Sequence, residues 1–209
     1  MRVSSWILAA TLMGSSGWAM ADAMMDAIAD LQHGWAKGYY STPEKQQEAY
    51  FDALQTKSHE VTAKFSGRVE ALIWEGIITS SHAKFQNKLV AGENAKAARD
   101  LLLAAEKIDP NALDGSALTS LGSMYYKVPR IISFGDHTKA RSYLERALKV
   151  NPNGIDPNFF MAEFLVEKGE KAKAIEYLKR AQAAPARPGR EDADAGRRAE
   201  IQDLLSQLK

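Results

Sequence analysis

Ala140-Arg141-Ser142-Tyr143-Leu144-Glu145-Arg146-Ala147-Leu148-Lys149-Val150-Asn151-Pro152-Asn153 is the stretch that decides the fold, because its pattern stands three times in the chain. The copies are Ala98-x2-Leu101-Leu102-x2-Ala105, Ala140-x2-Tyr143-Leu144-x2-Ala147 and Ala174-x2-Tyr177-Leu178-x2-Ala181. Alanines seven apart share one helix face, where their small side chains let a second helix approach closely. In the first two copies a proline follows the last alanine by five residues, in Ile108–Asn111 (IDPN) and Val150–Asn153 (VNPN), and proline stops a helix. Ala140 to Ala174 is 34 residues and Ala98 to Ala140 is 42. A helix pair repeated at that period cannot bury its apolar face alone and must stack on copies of itself.

Outward from these copies, Leu121-Gly122-x2-Tyr125 supplies the matching first helix, and the pair is the tetratricopeptide signature. From Gly122 to Ala140 the chain runs 18 residues where a standard repeat has 12, and the surplus falls in Lys127–Asp136 (KVPRIISFGD). A proline ahead of two β-branched residues disfavours helix there, so this is read as a long apolar loop whose isoleucines must be buried somewhere. No stretch alternates with period two, so no strand is expected. Further helices are expected over Ala23–Lys37, from Pro43 (capped by Thr42) to Phe65, over Val69–Phe85, from Gly92 through the first copy, over Asn158–Glu167 behind an Asp156-Pro157 cap, over Lys171–Ala183, and after Arg190. The expected fold is all-α: a tetratricopeptide-like right-handed stack of about four helical hairpins plus a C-terminal capping helix, forming one domain over residues 22–209.

Residues 1–21 read as a signal peptide: Arg2 is the basic start, Trp6–Met13 the apolar stretch, and Ala19-Met20-Ala21 the cleavage site, with Ala21-Asp22-Ala23 as a second. The expected product is a soluble periplasmic protein with no stable membrane insertion after cleavage. With no cysteine in the chain, there is no disulfide, thiolate metal site or lipid acceptor. Removing Arg2 leaves 26 basic residues against 26 acidic ones, which disfavours a nucleic-acid binder.

No catalytic set emerges, and a non-enzymatic protein without cofactor or metal is expected. His33, His59, His82 and His137 are scattered without helical ligand spacing, and most acidic residues sit three or four positions from a basic one, as surface pairs do. Two groups stand out as a ligand or partner surface. One surrounds the loop: Tyr125, Tyr126, Pro129, Arg130, Ile131, Ile132, Phe134, Phe159 and Phe160. The other is Arg187 and Arg190 flanking Pro188-Gly189, read either as an anion clamp or, with Arg197 and Arg198, as ion pairs around a turn. A second aromatic cluster, Trp35, Tyr39, Tyr40, Tyr50 and Phe51 with Trp74, is read as core.

Tyr125–Pro129 (YYKVP), Ser133–Asp136 (SFGD), Asn151–Asn158 (NPNGIDPN) and Ala183–Arg198, with its ArgProGlyArg and AspAlaGlyArgArg segments, occur here in one order. Together they resemble the T-component (TatT) family of tripartite ATP-independent periplasmic (TRAP) transporters, over roughly Ala71–Lys209. The resemblance implies a helical scaffold that forms a homotrimer, docks the transporter's periplasmic substrate-binding protein and holds a small organic ligand. Where that family's loop continues Gly-Trp-Pro, this chain has Arg130-Ile131-Ile132. A general envelope scaffold for protein–protein interaction is the alternative.

Overall fold

The computed structural model describes residues 15–208. Residues 1–14, most of the expected signal segment, lie outside the described residues. Its last residues begin the first helix, α1 (Ser15–Ala36), in which Met24 is the first buried side chain among those described, from residue 19 onward. A single π-helical turn, Lys37–Ser41, leads to α2 (Glu44–Lys64) and α3 (Val69–His82). A 3₁₀ turn at Ala83–Phe85 precedes α4 (Lys88–Ile108) and α5 (Ala112–Lys127). Beyond the loop come α6 (His137–Val150), α7 (Ile155–Glu167), α8 (Lys171–Gln182) and α9 (Glu191–Gln207). No strand occurs among the described residues.

The repeat register holds at every copy. Ala98, Ala105, Ala140, Ala147, Ala174 and Ala181 are all 0% exposed, as are Leu102, Leu144 and Leu178 between them. These residues pack α3 on α4, α5 on α6 and α7 on α8, with α1 and α2 forming a looser first pair. In each of the three tight hairpins a small residue of the first helix receives the leucine of the second. A Cβ on Gly122 would stand 2.7 Å from Leu144 Cγ, and one on Gly76 would stand 2.8 Å from Leu102 Cγ. Ala162, fully buried, takes the corresponding place in α7. Thus α3 and α4 form a repeat too, lengthened by the 3₁₀ turn and its flanks, which is why its period was not visible in the sequence. The fold is a tetratricopeptide-like stack of helical hairpins closed by a C-terminal helix.

Local chemistry moved several expected boundaries. Asn87, not the region of Gly92, opens α4: its side chain accepts hydrogen bonds from the amides of Leu89 and Val90. Thr42 does not cap α2, because its hydroxyl donates 3.0 Å to the Lys37 carbonyl and ends the π turn instead. Asp136 does cap α6 through the amides of Thr138 and Lys139. Leu113, Asp114 and Gly115 all adopt left-handed backbone, at φ of 47°, 56° and 74°, so the regular part of α5 begins at Ser116. Leu113 and Asp114 carry strain there, of about 1–2 kcal/mol each for an L-residue.

Closure is the feature that positions the site. Helix α9 packs on α7 and α8, as a cap should, and also reaches α1 and the π turn at the start of the chain. Gly196 of α9 lies so close to Tyr40 that a Cβ would meet its ring at 2.3 Å. The Tyr40 hydroxyl donates 3.0 Å to Glu200, and His33 approaches Asp192 at 3.1 Å. First and last elements therefore meet, and the repeat stack curves around a space that remains open to solvent on one side.

Candidate ligand cavity

That space is a cavity of about 1310 Å³, walled by residues from the first helix to the last. Its aromatic wall is built by Trp35, Tyr39, Tyr40 and Trp74, with Phe159 and Phe160 contributed by α7. The first four form one stack: Trp35 lies parallel to Tyr39 at 5.1 Å and edge-on to Tyr40 and Trp74 at 5.7 and 6.5 Å. The π turn is what places Tyr39 and Tyr40 there, because its wider ring rotates the chain end of α1. Small hydroxyls, among them Ser80, Ser120 and Ser123, line other parts of the surface.

Asp156 organises the charged floor. It stands in the first turn of α7, where the sequence suggested a helix cap, yet its carboxylate is taken by two arginines. Arg187 Nη1 donates 2.7 Å to one oxygen and Arg197 Nε 2.8 Å to the other. Arg187 also holds Asp194 through Nε at 2.7 Å and Nη2 at 2.6 Å, while Arg197 Nη1 donates 2.7 Å to Glu200. Burial works to raise the Asp156 carboxyl, but Arg197 and Arg187 outweigh it and hold it down to about 2. The Arg197 guanidinium, itself buried, lies over Phe159 and Phe160 at 4.4 and 4.7 Å. Burial followed by the charges of Glu200 and Asp156 pushes the Tyr40 hydroxyl upward, with Arg197 opposing, so Tyr40 remains a neutral donor.

Of the residues singled out in the sequence, Pro129, Ile132, Phe159, Phe160, Arg187 and Arg190 line this cavity. Tyr125, Tyr126 and Phe134 pack in or against the core instead. Tyr125 stacks on Tyr143 at 5.5 Å with Phe134 edge-on, and the Tyr126 hydroxyl donates 2.9 Å to Glu163. Arg130 and Ile131 lie exposed at the tip of the loop, Ile131 at 98% and Ile132 at 83%. The expectation that these isoleucines are buried is therefore not met within the chain: Gly135 is pressed against the Val128 carbonyl, which folds the loop on its own base and turns the tip outward. Arg187, Arg197 and Arg198 form the ion pairs and carbonyl contacts of the structural alternative; Arg198 donates to the Gln182 and Ala184 carbonyls. Arg190 does not.

Trp35, Tyr39, Tyr40, Trp74 and Asp156 were not among the candidate site residues. Helical spacing cannot separate an aromatic that packs in a core from one that borders a cavity.

No group of residues suited to hold a metal ion occurs among the described residues. Nor is any helix there long and apolar enough to cross a membrane. Residues 132–208 match the family described as tetratricopeptide repeat; the match spans α6 to α9. The protein is thus a tetratricopeptide-like helical repeat protein, a class whose usual business is protein–protein interaction. No curated protein matches the chain.

Proposed function

We propose that this chain is a non-enzymatic interaction scaffold of the periplasm, delivered there by the signal segment at residues 1–21, which holds a small organic ligand within its closed repeat stack. The single observation that carries the ligand part is the aromatic-walled cavity of about 1310 Å³, larger than the roughly 300–1,000 Å³ of ordinary small-molecule sites. The repeat fold supports the scaffold part, and the loop tip with exposed Ile131 and Ile132 is the surface offered to a protein partner.

The more specific reading is an accessory component of a TRAP transporter that docks its substrate-binding protein and assembles as a homotrimer. What favours it is a convergence. Lys127–Pro129, Ser133, Asn151, Asp156, Ala186–Pro188 and Arg190 come from the segments that carry the family resemblance, and all border this one cavity.

Native purification from periplasm with mass spectrometry of the eluate tests both readings. A substrate-binding protein co-eluting with three protomers is the result expected for the transport role. A monomer with a different protein partner removes that role and leaves the scaffold. Recovery without any protein partner, before and after crosslinking, refutes the interaction function.

A further inference from the structure

Besides Ser133 Oγ, two buried hydrogen-bond donors in the cavity wall have no acceptor among the described residues, and they belong to neighbouring side chains. One is Trp74 Nε1, on a side chain 4% exposed; the other is Arg190 Nε. Both nitrogens are sealed from water, so neither is itself a contact atom, but such orphans are rare in folded proteins and mark the Arg190–Trp74 pair as polar groups that the fold leaves unanswered. The contrast with their neighbours is sharp. The other indole of the cavity, Trp35, donates 2.8 Å to Ser81 Oγ. The other two arginines, Arg187 and Arg197, have carboxylates on their forks. Arg190 makes no ion pair with a described residue, and its guanidinium lies over the Trp74 ring, 5.0 Å from the centroid. The two side chains that carry these orphans are therefore in contact.

We infer that the Arg190 guanidinium, held against the Trp74 ring, forms the seat for the carboxylate of a monoanionic organic compound whose apolar body lies along the aromatic wall. This rests on the ligand-cavity reading above and specifies the ligand's chemistry. A planar guanidinium donates paired hydrogen bonds to a carboxylate, and the Trp74 ring beneath it holds its plane in place. The cavity border carries seven basic side chains, from Lys84 to Arg197, against five acidic ones, from Glu93 to Glu200, so an anion is favoured over a cation. A dianion is disfavoured, because Asp156, Asp194 and Asp192 stand close enough to Arg190 to act on it. Burial, and then the charge of Arg187, lower the Arg190 pKa, a penalty that an incoming anion relieves. The body of the ligand meets Trp35, Tyr40, Ile77, Phe159 and Phe160, which offer apolar and aromatic contact but few fixed acceptors.

Calorimetric titration of the dialysed protein with octanoate, 1-octanol and octyl phosphate tests the seat. The expected result is octanoate bound about tenfold or more tightly than octanol, as a charge-assisted hydrogen bond requires, and more tightly than octyl phosphate. Arg190→Gln is expected to abolish the preference for octanoate while leaving octanol binding in place. Trp74→Phe, which keeps a ring under the guanidinium, leaves the preference for octanoate in place. Octanoate bound no better than octanol, or a preference that survives Arg190→Gln, overturns the seat but leaves the cavity reading standing. A preference for octyl phosphate overturns the monoanion. If none of the three binds, the cavity reading fails with it. The comparison among ligands on the unsubstituted protein decides the matter even if a variant misfolds.

Discussion

Alanine placed at two glycines of this protein should have opposite effects, although both lie inside helices. At Gly92 in α4 a Cβ meets nothing within 4 Å. Gly92→Ala therefore gains only the helix propensity difference and stabilises by about 0.5–1 kcal/mol. At Gly122 in α5 the same atom would stand 2.7 and 2.8 Å from Leu144 Cγ and Cδ2, and 3.1 Å from the Leu144 backbone nitrogen. Leu144 is fully buried, so its side chain has no open direction, and the backbone contact means that a rotamer change alone does not clear the space. Overpacking of this kind costs about 1–3 kcal/mol. The propensity gain is common to both substitutions, so the difference between the two variants isolates the packing term. A difference of about 1–3 kcal/mol corresponds to roughly 2–4 °C in melting temperature per kcal/mol for a chain of this size. Thermal unfolding followed by circular dichroism, with both variants and the parent in one buffer, reads it directly. Gly122→Ala melting at or above Gly92→Ala would refute the close packing of α5 on α6, and with it the repeat register.

Ala147→Glu places an unpaired carboxylate at a fully buried position of α6, where the cost of several kcal/mol should abolish cooperative unfolding; Glu145→Ala, on the exposed face of the same helix, should leave the melting curve within about 0.5 kcal/mol of the parent. Asp156 couples stability to pH: because its folded pKa, about 2, lies below its unfolded value, its contribution of about 2 kcal/mol is present above pH 4 and is lost as pH falls from about 4 to 2. Denaturant titrations across that range should show the loss, whereas Asp156→Asn should flatten this part of the pH profile and cost roughly 3 kcal/mol at neutral pH, because it strips a partner from buried Arg197. The double substitution Ile131→Asp with Ile132→Asp should leave helicity and melting temperature unchanged, given the exposure of both side chains, while abolishing partner capture; a drop in melting temperature would show that the tip is buried in the assembled state.

The stack itself was legible because its determinants are local. Small residues seven apart, a leucine between them and a proline behind them specify one helix of a hairpin with no knowledge of what it touches. Even the six-residue surplus before Ala140 announced the loop. The first tight hairpin escaped notice because the 3₁₀ turn and the Asn87 cap stretch the distance from Gly76 to Ala98, which hides the period but not the packing. The arginines near the C-terminus were visible as a group, yet sequence could not say which was paired. That depends on Asp156, 31 positions from Arg187 and 41 from Arg197.

What the sequence by itself determined is therefore the repeat: helix boundaries to within a few residues, the buried face of each copy, and an all-helical fold. Only the tertiary structure decided that the stack closes. The small turn of each hairpin on the next accumulates along the chain, and its sum brings α9 against α1, where Gly196 admits the Tyr40 ring. No short window of sequence encodes that sum. The cavity, the aromatic wall around it and the cavity-wall arginine left without a carboxylate, Arg190, are consequences of the closure.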